Sequence, residues 1–376
     1  MSRILIVTGE TSGDLHGAHL ALALKKIDPT VQILGVGGHH MALAGVDLLP
    51  GVARVDAMGL VGFSQIRAGL ANLLFLRSFL KHNSFDVVVC IDSPGFNLRL
   101  ARMAHNLGHR VIYYIAPQIW AWAGHRIKLI KRVVAHVIVI LPFEEALYTQ
   151  AGVPCTFVGH PLLDSMKPLP PTEELKETLG VTPKRPILGL LPGSREAEVR
   201  SLLPVMLETA EELRAQHPDI QCLIAQAPSI SQGQLQEVIG RFSIPVTIIP
   251  DSPNEVIRVS DVLLVASGTA TLQAALVGTP MVIIYRASRL TYIFTRLVIK
   301  VPFIGLVNIV AGKKVVTELY QDDVVASRLK EEVLRIFNDK DFVGEMTASF
   351  QYIRELFGGP GASERAARIV LEECKV

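Results

Sequence analysis

Ten short aliphatic runs recur along the chain, separated by stretches in which apolar residues return at a period near 3.6. In the first half the runs are Ile4–Thr8, Val31–Val36, Asp86–Ile91, Val111–Ile115 and Val137–Leu141. In the second half they are Ile187–Leu191, Gln221–Gln226, Val246–Ile249, Val262–Ala266 and Met281–Tyr285. Ala18–Lys26 and Leu98–Leu107 are typical of the helical stretches between them. A run that is apolar on both faces suits a strand covered by helices on both sides, and a strand-helix-strand alternation returns each strand parallel to a neighbour. The expected fold is therefore α/β, with two Rossmann-like domains of parallel sheet, a cleft between them and C-terminal helices. Composition agrees: 49% of the 376 residues are hydrophobic and only 6% aromatic, so the apolar content is mostly aliphatic.

The piece Lys167–Pro186, rich in lysine and carrying Pro168, Pro170, Pro171 and Pro183, interrupts the alternation. It divides the chain into expected domains at 1–166 and 187–376, with 167–186 as a linker. After Gln321 the pattern turns helical, ending in Ser363–Cys374 behind the breaker Gly358-Gly359-Pro360-Gly361. No tandem repeat is visible.

Lys+Arg 37 against Asp+Glu 35 leaves a net charge of +2, without the basic excess of a nucleic-acid partner. Cys90, Cys155, Cys222 and Cys374 lie far apart, which argues against a disulfide scaffold or a thiolate zinc site and fits a reducing cytosol. Eleven histidines include no His-x-x-x-His helix and no nearby cysteine pair, so no metal site is expected. Ile4–Thr8 runs at once into Gly9, Glu10 and Asp14, unlike a secretory leader. Nothing reaches the roughly 18 uncharged apolar residues of a membrane span. Leu60–Leu80 comes nearest but carries Arg67 and Arg77; Leu290–Leu306 carries Arg296 and Lys300.

In open parallel sheets ligands bind beyond the carboxyl ends of the strands, so the loops after the runs should carry the chemistry. Gly9-Glu10-Thr11-Ser12-Gly13-Asp14 presents two carboxylates beside hydroxyls, with a helix cap the alternative use of Ser12 or Asp14. It matches neither the dinucleotide fingerprint nor a Walker loop, and Gly35-Val36-Gly37-Gly38 also fails the fingerprint. Asp92-Ser93-Pro94-Gly95-Phe96-Asn97 follows the most hydrophobic run; a carboxylate there is costly unless paired or used, although a helix cap is again the alternative. Ala116–Trp122 holds both tryptophans, Trp120 and Trp122, which suit a sugar or lipid face or else a small satellite core. Gly159-His160-Pro161 reads as structural. Leu191-Pro192-Gly193-Ser194-Arg195 offers backbone amides and a guanidinium to a diphosphate. Ala266-Ser267-Gly268-Thr269-Ala270-Thr271, between an apolar run and a helix, admits phosphate oxygens to backbone amides. Asn308-Ile309-Val310-Ala311-Gly312 and Glu318-Leu319-Tyr320-Gln321 are polar groups in apolar surroundings.

The motifs Gly-Glu-Thr-Ser-Gly-Asp, Asp-Ser-Pro-Gly-Phe-Asn, Pro-Gln-Ile-Trp-Ala-Trp, Gly-His-Pro-Leu-Leu-Asp, Leu-Pro-Gly-Ser-Arg, Ser-Gly-Thr-Ala-Thr-Leu and Asn-Ile-Val-Ala-Gly, in that order, resemble the lipid-A-disaccharide synthase family, from residue 1 to about residue 321. The resemblance implies an inverting glycosyltransferase of the two-Rossmann, GT-B type. Its substrates would be UDP-2,3-diacylglucosamine and 2,3-diacylglucosamine 1-phosphate, with UDP released and no cofactor. It also implies a cytoplasmic protein held peripherally at the inner membrane; an oligomer is left open. By the same resemblance Asp92 and Glu10 are the catalytic acids, either of which could be the base. Gly193, Ser194, Arg195, Ser267, Gly268, Thr269, Ala270, Thr271, Gln273, Asn308 and Gln321 face UDP. Ser12, Asp14, Trp120, Trp122, Phe63, Ile66 and Leu70 belong to the acceptor and lipid side.

Two positions depart from the family pattern: Gln273 replaces a usual Glu, and Gly62 follows Met58–Val61 where an acid is common. The residues support the implied chemistry. Displacing UDP needs a base for the attacking hydroxyl and positive groups for the leaving diphosphate. Leu60–Leu80 supplies greasy surface, with Phe63, Ile66, Leu70, Leu73 and Leu74 near one face, or else is a core helix. The rivals are a UDP-GlcNAc 2-epimerase, the peptidoglycan glucosaminyltransferase, or a non-catalytic nucleotide- or lipid-binding protein.

Overall fold

The computed structural model describes residues 1–50, 52, 63–121, 124–166, 168–287 and 302–375, without the side chains of 11 and 63–68. It divides into two compact units, Met1–Ser165 with Phe357–Val376, and Met166–Leu356.

The first unit is built on a parallel sheet of β1 (Arg3–Thr8), β2 (Gln32–Val36), β3 (Asp47–Leu48), β4 (Val87–Ile91), β5 (Val111–Tyr114), β6 (His136–Val139) and β7 (Cys155–Phe157), in the order β3-β2-β1-β4-β5-β6-β7. The period-two alternation of a strand sorts the side chains to two faces. Ile4, Ile6, Val87, Val89 and Ile91 pack with Leu20 and Leu24 of the helix Thr11–Ile27. Leu5, Val7, Val88 and Cys90 pack with Leu76 and Leu80 of the helix Phe63–His82 and with Leu100, Ala101 and Ala104 of the helix Pro94–Asn106. The chain runs outward from β1 through β2 to β3, then returns to lay β4 on the other side of β1. That reversal is the switch point at which open sheets bind ligands.

The second unit repeats the design with β8 (Ile187–Leu191), β9 (Gln221–Gln226), β10 (Val246–Pro250), β11 (Val262–Ala266), β12 (Met281–Tyr285) and β13 (Thr317–Tyr320), ordered β10-β9-β8-β11-β12-β13. Its switch point lies between β8 and β11. All ten expected runs are strands to within a few residues. β3, β7 and β13 went unrecognised because they are two to four residues long and half-exposed or polar, so none carries an aliphatic run.

Two expectations about organisation are corrected. The last helix, Ala362–Glu373, belongs to the first unit and not to the second. Its Ala362, Ala366, Ala367 and Val370 complete the core beside Leu20 and Leu24. Asp164 caps it from across the unit, its carboxylate accepting from the amides of Gly361 (2.6 Å), Ala362 (3.1 Å) and Ser363 (2.9 Å). Arg365 donates to the Val158 carbonyl (2.8 Å), and Glu373 pairs with Arg110 and His136. Secondly, 167–186 is not a free linker. It contains the helix Thr172–Thr178, whose Leu175 is buried, as is Val181, so the segment is packed onto the second unit.

Candidate active site

β1 and β4 pair with Thr8 opposite Ile91, so the loops that begin at Gly9 and Asp92 leave the sheet side by side. Their approach is close. A Cβ on Gly9 would lie 2.5 Å from Ser93 Oγ, so only glycine fits there. Glu10 occupies the N-cap position of the helix Thr11–Ile27 without a side-chain cap bond, and its side chain is exposed. Asp92 (φ 50°) and Ser93 (φ 46°) are two consecutive left-handed residues without glycine. The Asp92 carbonyl accepts from Tyr113 Oη (2.7 Å) and from Asn97 Nδ2 (2.9 Å), and the Asp92 amide donates to the Tyr114 carbonyl (3.1 Å). Burial pushes the Asp92 carboxyl above the usual carboxylate range; the Ser93 amide opposes this in part, and the charge of Glu10 adds to it. Neither Ser93 nor Asn97 caps the next helix with its side chain: Ser93 makes no cap bond, and Asn97 reaches back to the strand ends.

Of the other acceptor-side residues, Ser12 is exposed and Asp14 is buried. One Asp14 oxygen accepts from the amides of Gly38 (2.6 Å) and Met41 (3.2 Å), the other from the His40 amide (2.9 Å) and ring (3.0 Å). All four acceptor positions of the carboxylate are thus filled. Asp14 ties the loop after β2 to the first helix rather than facing a ligand as expected. Trp120 donates its indole N–H to Glu144 (2.9 Å) and stands edge-on to Phe143 (5.1 Å between centroids), while Ile119 and Ala116 join the core. Burial raises the Glu144 carboxyl to about 7, against the pull of the Trp120 hydrogen bond. Trp122, and Met58 to Gly62, lie outside the described residues, as do the side chains of Phe63 and Ile66. Further along the helix Phe63–His82, Leu70 (58% exposed) and Leu74 (59%) face solvent near the exposed Arg77 and Lys81, whereas Leu76 and Leu80 are core.

In the second unit a cavity of about 350 Å3 opens at the switch point. Gly193, Ser194 and Arg195 from the loop after β8 line it, together with Ser267, Gly268, Thr269, Ala270 and Gln273 from the loop and helix after β11. Two motifs more than seventy residues apart therefore converge, as the sheet order requires. No atom lies within 4 Å of where a Gly268 Cβ would stand, so backbone is open to a ligand there. Gln273 donates its amide nitrogen to Asn254, which leaves the amide oxygen for a ligand hydroxyl. Thr271 is wholly buried, its hydroxyl turned back to the Gly268 carbonyl (2.8 Å).

Glu198 was not foreseen. Its carboxylate accepts from the amides of Ser194 (3.1 Å) and Arg195 (3.2 Å) and pairs with the Arg195 guanidinium (3.1 Å). A side-chain anion thus holds the groups expected to meet a diphosphate. A Glu at the third helical position, able to reach back to the Arg195 amide, was the available signal.

Asn308 does not reach the cavity. It is fully buried; its amide nitrogen donates to the Val316 carbonyl (3.0 Å) and Glu318 (2.7 Å), and its oxygen accepts from the amides of Val315 (2.7 Å) and Val316 (3.0 Å). With each donor and acceptor position used, the expected contact with UDP gives way to a structural role. Glu318 also accepts from the amides of Ile304 (2.8 Å) and Gly305 (3.0 Å). Gln321, at φ 56°, bonds both ways to the Ala287 backbone (2.7 and 3.1 Å) and is likewise off the cavity. Among the described residues no group of three His, Cys, Asp or Glu is placed to hold a metal ion, and no helix is long and apolar enough to cross a membrane.

Two doubly wound parallel sheets in one chain, one with a phosphate-type cavity at its switch point, define the GT-B class of nucleotide-sugar enzymes. Solved structures share the fold. A UDP-GlcNAc 2-epimerase from Neisseria meningitidis, bound to UDP-GlcNAc, superposes with TM-score 0.67 at 13% identity, covering 98% of this chain and 100% of its own. The glycotransferase of kitacinnamycin superposes with TM-score 0.61 at 17% identity, covering 99% of each. Sequence separates these possibilities. The family model for lipid-A-disaccharide synthetase matches residues 4–370. Lipid-A-disaccharide synthase of Geobacter sulfurreducens is 43% identical over 98% of this chain and 97% of its own length, and that of Nitrosococcus oceani is 41% identical over 98% and 95%. The chain belongs to the lipid-A-disaccharide synthetase family, and it is a glycosyltransferase.

Proposed function

We propose that this protein transfers 2,3-diacylglucosamine from UDP-2,3-diacylglucosamine to the 6-hydroxyl of 2,3-diacylglucosamine 1-phosphate. The products are a β-1,6-linked disaccharide 1-phosphate and UDP. The observation that carries the reading at the site is the convergence of Gly193–Arg195 with Ser267–Gln273 on one cavity at the second switch point. The first unit serves the acceptor and supplies the base; the second holds the nucleotide.

In the reaction Asp92 takes the proton of the 6-hydroxyl, the oxygen attacks the anomeric carbon, and the bond to the diphosphate breaks with its electron pair leaving on UDP. A carboxyl held above its usual range is a better match to this task near neutral pH. Glu10 beside it keeps a second carboxylate at the same strand ends. Arg195, whose partner Glu198 is a surface ion pair three residues away, exchanges that weak contact for the diphosphate. The open backbone at Gly268 and the helix start at Thr269 stabilise the same charge.

Both substrates carry acyl chains, so the protein works at the cytoplasmic face of the inner membrane. Leu70 and Leu74, with Arg77 and Lys81 along the same helix, supply buried apolar area and attraction to anionic headgroups. The decisive assay measures UDP release from the diacylated donor with and without the monosaccharide phosphate. Release that needs the acceptor and yields a disaccharide is expected; an epimerised sugar, or release indifferent to the acceptor, would reject the reading.

A further inference from the structure

We propose that the left-handed turn Asp92-Ser93, clamped by Tyr113 and Asn97, is a positioning device that fixes the direction of the Asp92 carboxylate. The inference rests on the reading of Asp92 as the base.

The turn is an expensive conformation. Two adjacent residues with side chains sit at φ 50° and 46°; glycine is at ease there and Asp is tolerated, so the cost falls mainly on Ser93. The surroundings make it more so. Ser93 Oγ is buried without a hydrogen-bond partner, and so is Asn97 Oδ1, in a side chain with no exposure at all. Native cores rarely tolerate such orphans. Helix capping does not explain the arrangement, because neither side chain caps the helix Pro94–Asn106.

What the groups do is converge on one carbonyl. Asn97 Nδ2 reaches the carbonyls of Asp92 (2.9 Å) and Ile91 (2.8 Å) and, at 3.4 Å, that of Val7 on the neighbouring strand. Tyr113 Oη, from β5 on the other side, donates to the same Asp92 carbonyl (2.7 Å). Both clamping residues are wholly buried, so their own positions are set by the core. Gly9 abuts Ser93 from the loop after β1. The Asp92 backbone is thereby fixed by Tyr113 of β5, by Asn97 of the following helix and by the loop after β1, while the adjacent Ser93 amide meets its carboxylate. An ordinary strand-to-helix turn needs none of this; a carboxylate that must meet one hydroxyl in one direction does.

The test measures kcat, the KM of each substrate, UDP affinity and the melting temperature for Tyr113→Phe, Ser93→Gly and Asp92→Asn in the full chain. Tyr113→Phe removes one hydroxyl and keeps the ring. It should lower kcat tenfold or more, with both KM values within threefold and UDP affinity unchanged. Ser93→Gly relieves the strain and deletes an orphaned hydroxyl. It should hold or raise the melting temperature while kcat falls, an opposition that a merely structural turn does not produce. If Tyr113→Phe does not fold, Ser93→Gly decides alone. Wild-type kcat in the folded clamp variants, with Asp92→Asn inactive, overturns the positioning role and leaves the base in place. Near-normal kcat in Asp92→Asn overturns the reading beneath it.

Discussion

As the proposed base, Asp92 should couple activity and stability in opposite directions. Its carboxyl is raised by burial first and by the charge of Glu10 after that. A group whose folded pKa exceeds its unfolded value, about 3.9 for Asp, weakens the fold as pH rises from the unfolded towards the folded value. Asp92→Asn removes that penalty. The variant should lose at least a hundredfold in kcat, since general-base catalysis contributes about 10²–10⁴. It should also melt higher than the wild type at neutral pH, by roughly 2–4 °C per kcal/mol relieved. The gap should close as the pH falls below about 4, where the unfolded carboxyl is protonated too. Paired rate and melting measurements across pH check both limbs. At this scale the sequence shows residue types but not their remaining bonding capacity. Asp14 and Asn308 have the chemistry of ligand residues, and only their hydrogen-bond partners reveal that each is already saturated.

At the scale of single elements, Asp164 and the helix Phe63–His82 give sharp tests. Asp164 meets three backbone amides at the start of the helix Ala362–Glu373, which hold its carboxyl below the usual range although burial alone would raise it. Asp164→Ala should destabilise the protein by about 1–2 kcal/mol, the range of a lost N-cap. With a depressed folded pKa, the contribution is present above the unfolded value and is lost as pH falls through the folded one, so wild type and variant should converge in strong acid. Urea melts at neutral and acid pH check this. On the helix Phe63–His82, exposed Leu70 and Leu74 contribute nothing to the core that Leu76 and Leu80 build. Leu70→Ser with Leu74→Ser should leave melting temperature and UDP affinity unchanged and reduce binding to anionic vesicles about tenfold or more. Salt should weaken wild-type binding without abolishing it, because screening removes only the charge part. Vesicle flotation reads the result, and equal binding by the folded double variant would place docking elsewhere. The sequence left this segment open between core and surface; the fold makes it both, on opposite sides.

For the whole molecule, the consequence is that the first unit is completed by the last twenty residues of the chain. Deleting 357–376 uncovers Leu20, Leu24 and their neighbours and removes Ala362, Ala366, Ala367 and Val370 from the core. The truncated chain should be proteolysed rapidly within residues 1–165 and be inactive, whereas the cavity proposed for the nucleotide, lined by residues of the second unit, should still bind UDP. Limited proteolysis beside calorimetry with UDP separates the two effects; loss of UDP binding would show that the second unit depends on the helix as well.

The alternation of aliphatic runs and helical stretches determined the two parallel sheets by itself, because hydrophobic period is a local property of the chain and each buried strand carries it whole. That the loops Gly193–Arg195 and Ser267–Gln273 would stand at the ligand end of the second sheet was legible for a related reason, since each follows directly on an aliphatic run. Only the tertiary structure decided which sheet the final helix covers and which polar side chains are already engaged. Those outcomes depend on partners such as Asp164 and Gly361, 197 positions apart, and no local pattern encodes a contact that exists only when two distant segments have both folded.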